Sequence, residues 1–246
     1  MRIQYIGHAG FIVSLQSGIK ILIDPWFHAA FLGSWFPYPC NDFFEEHCLK
    51  KYKFDYLYVS HCHEDHFDRK FLEKLDKKIT VLCPDYRTKS LAREFRKLGF
   101  NNLMEIGHQE TRHFGTFKAT ILLDTSHKED SGLLLEADGV KFLDLNDCNP
   151  QLSDLPRSVT ILAAQYSGAS WYPNCYHYDS ETMQYKTDEV RSQLLDTLVR
   201  KIKMTQPKLY LPCAGPACFL DPALQKFNDA HKTIFPSWDQ VKHQFS

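Results

Sequence analysis

Residues 54–66 read FDYLYVSHCHEDH, in which an apolar and aromatic run passes directly into a cluster of histidines and acidic residues. The apolar first half predicts a buried β-strand, since aromatic and β-branched side chains favour strands. In the extended chain that follows, side chains two residues apart lie on one side, so His61 and His63 can bind one metal ion. Asp65 and His66, where the chain turns, can face a second ion. A surface histidine-rich turn with casual metal affinity is the alternative, and the buried strand before it argues against that alternative.

The composition is that of an ordinary globular protein. The 246 residues carry a formal net charge of −1, with 43% hydrophobic and 24% charged residues, which excludes a disordered or fibrous chain. The near-neutral charge removes the simplest argument for a nucleic-acid partner. No window approaches the roughly 20 apolar residues of a membrane span, and we find no signal peptide. The eight cysteines lack disulfide-framework spacing, so we expect a soluble, cytoplasmic protein with reduced thiols.

The order of the predicted elements indicates an α/β fold. Antiparallel β-rich runs open the chain up to residue 24, and strands then alternate with helices as far as Gly99. A second set of strands follows before the last helix and strand. Two mixed halves of this kind predict two sheets packed face to face with helices outside, in one domain over residues 1–246. The predicted helices span residues 42–51, 68–76, 86–98 and 187–204.

Further segments accompany the histidine cluster at 61–66. They are Gly7-His8 in the first loop, Ile21-Leu22-Ile23-Asp24-Pro25 on an early strand, and Ser60 before the cluster. With them the chain resembles the metallo-β-lactamase superfamily, whose mark is His-x-His-x-Asp-His at the end of a strand. The resemblance implies a four-layer αβ/βα sandwich of two mixed sheets with helices outside. It also implies a mononuclear or dinuclear metal site at one edge of the sheets.

The resemblance also implies a later histidine and a later bridging carboxylate, each after a strand. His127 matches the histidine best, and His113 is its competitor. The alternative is that His127 is an ordinary loop histidine, bonded to the backbone. Asp147 matches the carboxylate best, and Asp144 is its competitor. The alternative is that Asp147 only forms an Asx turn.

The chain departs from the family in its last loop. Hydrolases of the fold usually place a final histidine there, whereas residues 211–216 read LPCAGP. One metal position therefore has a full set of candidates, namely His61, His63, His127 and Asp147. The other keeps Asp65, His66 and the shared Asp147, and His177 or a water could complete it. Such an oxygen-rich set suits iron or manganese at least as well as zinc.

Three more segments point to a branch of the superfamily. They are Asp147-Cys148-Asn149-Pro150, Tyr166-Ser167-Gly168-Ala169-Ser170, and Asp24-Pro25-Trp26 with the aromatic loop after it. Together with Pro212-Cys213-Ala214-Gly215, they are similar to the metallo-β-lactamase-like domain of the CMP-N-acetylneuraminate hydroxylase family. That family carries an amino-terminal Rieske domain that supplies electrons. Because this chain begins directly with the first strand, we expect a separate electron-donor protein or a substrate that supplies its own electrons.

A second similarity is to metal-dependent hydrolases of the ascorbate-lactonase and N-acylphosphatidylethanolamine phospholipase D kind. These share the Gly-His opening and the Asp-Pro strand end. In them a metal-bound hydroxide attacks an ester or phosphodiester. The missing final histidine weighs against this branch without excluding it.

Other residues are assigned candidate roles around the metals. His8 and Asp65 are candidate catalytic residues, His8 as acid, base or substrate donor, although a hydrogen-bonded loop histidine explains His8 equally well. Asp24 is expected to orient a ligand histidine. Cys62 and Glu64 would point away, and we assign them no role. Ser167, Gly168 and Ser170 could bind a substrate anion, and the aromatic residues at 26–38 and 171–172 could line a pocket or cover the core.

These observations predict a metalloenzyme that binds two divalent metal ions, with iron favoured and zinc or manganese as alternatives. The leading function is an oxygen-activating di-iron hydroxylase or oxidase of a small polar metabolite. The alternative is a zinc or manganese hydrolase of a lactone or phosphodiester. A degenerate site in a binding or structural subunit is the third interpretation, and the intact ligand run argues against it.

Overall fold

The computed structural model describes residues 1–126, 128–168, 170–229 and 233–243, with the side chain of Trp238 left out. The first half of the chain forms a six-stranded sheet in the order β1-β2-β3-β4-β5-β6. β1, β2 and β3 pair antiparallel, and β3 to β6 pair parallel. The strands are β1 Arg2–Gly7, β2 Gly10–Ser14, β3 Lys20–Ile23, β4 Tyr56–Tyr58, β5 Thr80–Pro84 and β6 Leu103–Ile106.

The second half forms another six-stranded sheet, in the order β12-β11-β10-β9-β8-β7. β7 to β10 pair antiparallel, and β10, β11 and β12 pair parallel. The strands are β7 Thr111–His113, β8 Lys118–Leu123, β9 Ser131–Ala137, β10 Val140–Asn146, β11 Ile161–Gln165 and β12 Leu209–Cys213.

The α-helices are α1 Asp42–Lys51, α2 Arg69–Leu72, α3 Ser90–Lys97, α4 Ser180–Thr205 and α5 Trp238–His243. Two short 3₁₀ helices lie at Leu152–Asp154 and Gln225–Asn228. Among the residues that the structure describes, no helix is both long and apolar enough to cross a membrane.

Side chains of β3 show how the layers form. Ile21 and Ile23 are buried in one cluster with Phe142 of the second sheet, so they face the other sheet. Leu22, between them, belongs to a different buried cluster that includes Phe95 of α3. The period-2 alternation of the strand therefore places one face on a sheet and the other on helices.

The second sheet repeats this arrangement on its outer face. Leu143 of β10 and Leu162 of β11 are buried with Leu198 of α4. The order of layers is thus helix, sheet, sheet, helix. The predicted fold class, a four-layer αβ/βα sandwich with two mixed sheets, is confirmed.

Two helices begin elsewhere than predicted, for local reasons. α4 begins at Ser180 rather than at 187, because the Asp179 side chain caps it by accepting from the Thr182 backbone N–H at 2.9 Å. α3 begins at Ser90 rather than at 86, because Lys89 takes a left-handed φ of +57°. Tyr86, before this break, donates its hydroxyl hydrogen to the Ser60 carbonyl and so supports the site.

Candidate metal centre

Strand ends bring the candidate ligands together. The His61–His66 cluster follows β4, and the Nε2 of His61 lies 2.8 Å from the Nδ1 of His63. The His61 ring also lies 4.3 Å from the His66 ring, measured between centroids. His61 and His66 are buried, with exposed fractions of 2% and 1%, whereas His63 is exposed. The cluster thus presents its imidazoles at the junction of the two sheets.

Asp147 reaches the same point from the second sheet. It follows Asn146, the last residue of β10, which takes a left-handed φ of +42° and turns the chain sharply. The Asp147 Oδ1 lies 3.4 Å from the Nε2 of His66, and its Oδ2 lies 3.9 Å from the Nε2 of His61. The Gln165 side chain holds the turn by donating to the Asp147 carbonyl at 2.8 Å.

His8 and Asp65 form a second pair beside these residues. The Nε2 of His8 lies 3.1 Å from the Oδ2 of Asp65, and that oxygen lies 3.9 Å from the Nε2 of His66. Both His8 and Asp65 are 6% exposed. The predicted candidates His8 and Asp65 therefore belong to the same centre as His66 and Asp147.

Two buried carboxylates orient the imidazoles of His66 and His61 through contacts to their Nδ1 atoms. Asp24, which is fully buried, lies 2.8 Å from the Nδ1 of His66 through its Oδ2. Asp130 lies 3.2 Å from the Nδ1 of His61 through its Oδ1. In each ring the Nδ1 faces a carboxylate and so carries the proton, which leaves the Nε2 lone pair for a ligand bond.

Ser60 connects these supports. Its backbone N–H and its hydroxyl both donate to the Asp24 carboxylate, each at 2.7 Å, and its Oγ lies 2.9 Å from the Nδ1 of His61. Its carbonyl accepts from the Ser131 hydroxyl at 2.8 Å. The short polar side chains around the strand end therefore fix the ligand rings in place.

The electrostatics of the centre favour a bound cation. Burial acts to lower the pKa of His66, but the carboxylates of Asp147, Asp65 and Asp24 together hold that pKa well above its usual range. Burial acts to raise the pKa of Asp65, and His66 and His8 hold it well below its usual range instead. The metal-free centre therefore keeps a proton on an imidazole to balance its carboxylates.

Burial and neighbouring charges also shift the pKa values of Asp130 and His63. Burial and the negative charge of Asp147 raise the pKa of Asp130 to about 6. Burial and the neighbouring His61 lower the pKa of His63, which favours its neutral, metal-binding form.

Three candidate ligand atoms at this centre make no hydrogen bond among the described residues. Among the described residues, the Asp65 Oδ1, the His66 Nε2 and the Asp147 Oδ1 are buried side-chain atoms without a hydrogen bond. Leaving a buried acceptor unsatisfied costs about 1–3 kcal/mol, and more for a charged group. The donor set of imidazoles and carboxylates therefore fits a cation shared by these atoms.

A sequence model of the beta-lactamase superfamily domain matches residues 2–163. This chain belongs to the metallo-β-lactamase superfamily. It is 34% identical over 252 aligned residues to a Mycolicibacterium smegmatis protein named as a Rieske 2Fe-2S iron-sulfur protein, covering 96% of this chain and 48% of the relative. It is also 30% identical to the human inactive cytidine monophosphate-N-acetylneuraminic acid hydroxylase, covering 87% of this chain and 45% of the relative. The resemblance to that hydroxylase family is thus confirmed, and the chain spans about half the length of these curated relatives.

Solved structures share the superfamily fold. The diiron β-hydroxylase CmlA from Streptomyces venezuelae aligns with a TM-score of 0.59 and 19% identity, covering 86% of this chain and 44% of CmlA. An isothiocyanate hydrolase from Delia radicum gut bacteria aligns with a TM-score of 0.58 and 17% identity, covering 96% and 94% of the two chains. At these identities the likeness concerns the fold alone.

The metallo-β-lactamase fold leaves a cavity of about 800 Å³ above the ligand cluster. The lining of this cavity contains both polar and aromatic side chains. The polar ones include Asn149, Gln165, Ser167 and Ser170, and the aromatic ones include Phe31, Trp35 and Phe235. The predicted aromatic loop thus has both suggested roles, since Trp26 is 1% exposed in the core while Phe31 and Trp35 line the cavity.

The competing ligand candidates lie elsewhere. His113 is exposed on β7, and His177 is exposed and does not line the cavity. Asp144 is fully buried, with its Oδ1 accepting from the Asn146 backbone N–H at 3.1 Å. His127, the predicted later histidine, lies outside the described residues.

The structure corrects the expectation for Cys62 and Glu64 and adds one residue. Cys62, which we expected to point away, lines the cavity. Glu64 does not line the cavity, but it accepts from the Phe31 backbone N–H and so has a role in holding the aromatic loop. Asp130 was missed, although its place directly before β9 resembles that of Asp147 after β10. An acidic residue at a predicted strand end was the signal that could have found it.

Proposed function

We propose that this chain binds two divalent metal ions, preferentially iron, and acts as an oxygen-activating hydroxylase or oxidase of a small polar metabolite. The observation that carries the proposal is the pair of carboxylates, Asp65 and Asp147, that flank His66 with an unpartnered oxygen on each. Two carboxylates and one imidazole make a hard, oxygen-rich ligand set that suits iron or manganese.

In this proposal His61, His63 and Asp147 bind the first ion, together with His127. Asp65, His66 and the shared Asp147 bind the second. Two ligand atoms about 2.1 Å from one ion lie about 3.0 Å apart at 90° and about 3.4 Å apart at 109°. The 3.4 Å separation of the His66 Nε2 and the Asp147 Oδ1 fits this range. The other Asp147 oxygen lies 3.9 Å from the His61 Nε2, longer than this range, so the two oxygens of one carboxylate are directed toward the two proposed positions.

Bound iron would supply the redox chemistry with oxygen that no side chain of this chain provides. Asp24 and Asp130 keep the Nδ1 of their histidines protonated, so that the Nε2 lone pairs would be free to bind metal. The polar residues of the lining, with Asn149 and Gln165, offer hydrogen bonds to a polar substrate. The aromatic residues of the lining, including Trp35, would exclude water from a bound substrate.

The names of two relatives support the proposed oxygen chemistry. The human relative is named as an inactive hydroxylase of cytidine monophosphate-N-acetylneuraminic acid, and the mycobacterial relative as a Rieske iron–sulfur protein. Because oxygen activation at iron consumes electrons, we propose that an electron-donor protein serves this centre. The diiron β-hydroxylase CmlA shares its fold.

Elemental analysis of the purified protein, with ultraviolet and visible spectra before and after exposure to air, tests the proposal. We expect about two irons per chain after anaerobic reconstitution, a charge-transfer absorption that appears in air, and oxygen uptake with a chemical reductant. His127→Ala and Asp147→Ala should each lose metal, whereas His113→Ala, on an exposed strand, should not. Unchanged metal content in both ligand variants would contradict the assignments.

The alternative is a zinc or manganese hydrolase of a lactone or phosphodiester. The two imidazoles at the first ion position favour it, because the neutral form of His63 and the oriented ring of His61 suit zinc. Turnover of a generic phosphodiester or lactone under strict anaerobiosis, with zinc and a featureless spectrum, would establish the alternative.

A further inference from the structure

The second ion position contains one more imidazole than the assignment above uses. His8 is buried at the end of β1, and its Nε2 lies 3.1 Å from the Asp65 Oδ2. One ligand atom from each of His8, Asp65 and His66 lies within 4.8 Å of the others. Within the part of the chain that the structure describes, the Asp65 Oδ1 and the His66 Nε2 there are buried and make no hydrogen bond.

We propose that His8 is a metal ligand through its Nε2 and takes the position that the missing histidine of the last loop leaves open. This inference rests on the proposed two-metal centre. The second ion would then have two imidazoles, His8 and His66, and two carboxylates, Asp65 and Asp147. The 3.1 Å separation of the His8 and Asp65 atoms lies within the range of about 3.0–3.4 Å expected for neighbouring ligand atoms.

The last loop itself has no room for a ligand side chain at one key position. A Cβ added to Gly215 would lie 2.5 Å from the Tyr166 hydroxyl oxygen, so any larger residue would collide with that ring. The neighbouring Ala214 donates its backbone N–H to the His8 carbonyl at 2.9 Å. The loop that carries a histidine in related hydrolases therefore supports the backbone of His8 here.

The conformation of His8 also indicates a specific task. Its φ of +49° is left-handed, which a non-glycine residue seldom adopts and which costs about 1 kcal/mol or more. The edge-on contacts of its ring, with centroids 5.0 Å from Trp26 and 5.4 Å from His66, fix the imidazole beside the ion position. A fixed ring is what a metal ligand requires.

Two substitutions separate ligation from simple hydrogen bonding. His8→Asn keeps a residue that tolerates the left-handed backbone and removes the Nε2 atom. His8→Gln keeps an amide that can reach Asp65 as a hydrogen-bond donor but is a poor metal ligand. If His8 only donates to Asp65, His8→Gln keeps both ions; if His8 is a ligand, both variants lose the second.

The test is a Zn²⁺ titration of the full, chelator-treated protein against a competing chromophoric chelator, with zinc counted after desalting. We expect two ions in the wild type and one in each His8 variant, with affinity for the second weakened by at least about 100-fold. This estimate follows because loss of a supporting residue alone costs about 10–100-fold. His28→Gln is the matched control, since His28 pairs with Asp68 at 2.9 Å away from the cavity.

Either of two results overturns the inference. One is a His8→Gln protein that binds both ions within about threefold of the wild-type affinity, and the other is a wild-type protein that binds a single ion. Circular dichroism of the metal-free variants checks that each is folded before its ions are counted. Because zinc occupancy is independent of oxygen chemistry, failure of the oxygenase proposal leaves this result unaffected, and the two can be judged separately.

Discussion

Replacing Asp24 by asparagine tests how the centre is supported. Asp24 is fully buried and accepts three hydrogen bonds, two from Ser60 at 2.7 Å and one from the Nδ1 of His66 at 2.8 Å. A hydrogen bond to a charged group contributes about 1 kcal/mol more than a neutral one. In Asp24→Asn the bond to Oδ1 loses its charge assistance and the two bonds to Oδ2 meet an amide donor instead, so the free energy of unfolding should fall by at least about 3 kcal/mol.

The same substitution should weaken metal binding through the His66 tautomer. The asparagine amide places a donor where the Asp24 Oδ2 was, so the Nδ1 of His66 must accept and the ring proton moves to Nε2. That atom faces Asp147 and is the proposed ligand atom. We expect affinity for the second ion to fall about 10–100-fold, or about 1.4–2.7 kcal/mol.

Urea unfolding in the presence of a chelator measures the first effect, and zinc titration measures the second. Asp144→Asn is the matched control, because Asp144 is also fully buried. Burial and the charge of Asp24 raise the pKa of Asp144 well above its usual range, which favours the neutral carboxyl in the folded protein. The control should therefore change stability by less than about 1 kcal/mol. Equal effects in the two variants would refute the reasoning.

Three further outcomes follow from the site. Asp130→Ala leaves the Nδ1 of His61 without its carboxylate, and affinity for the first ion should fall about 10–100-fold in a chelator competition; unchanged affinity would contradict the supporting role. Gly215→Ala forces a Cβ against Tyr166 and should lower the unfolding free energy by about 1–3 kcal/mol, measured by urea unfolding, whereas an unchanged midpoint would mean that the loop has room. In metal-free protein, the raised pKa of His66 stabilises the fold below about pH 6.5, and this contribution is lost as pH rises through the folded-state pKa. Urea unfolding between pH 6 and 9 should show that decline, and His66→Gln should flatten it.

The sequence predicted much of the fold because its signals are local. The β-rich runs up to residue 24 and the helix at 42–51 depend on residues a few positions apart, and both are found in the structure. The start of α4 was predicted late, since the Asp179 cap was not weighed. Such errors concern boundaries and leave the order of layers unchanged.

The site was predicted less completely because its contacts are distant in sequence. The cluster at 61–66 is contiguous, and the structure brings His61, His66 and Asp147 together as expected. Asp130 and Glu64 act through partners far along the chain, His61 and Phe31, which no spacing rule connects. Only the packing of the two sheets makes these pairs neighbours.

The candidate ligands come from both halves of the chain, and this has a consequence for stability. His61 and Asp65 follow a strand of the first sheet, whereas Asp147 follows a strand of the second. Ions bound as proposed would act as a cross-link between the halves, closing a long loop as a disulfide does. The halves should then unfold in one transition with metal bound. Chelation would let the sheets separate earlier and expose the chain between them to proteases.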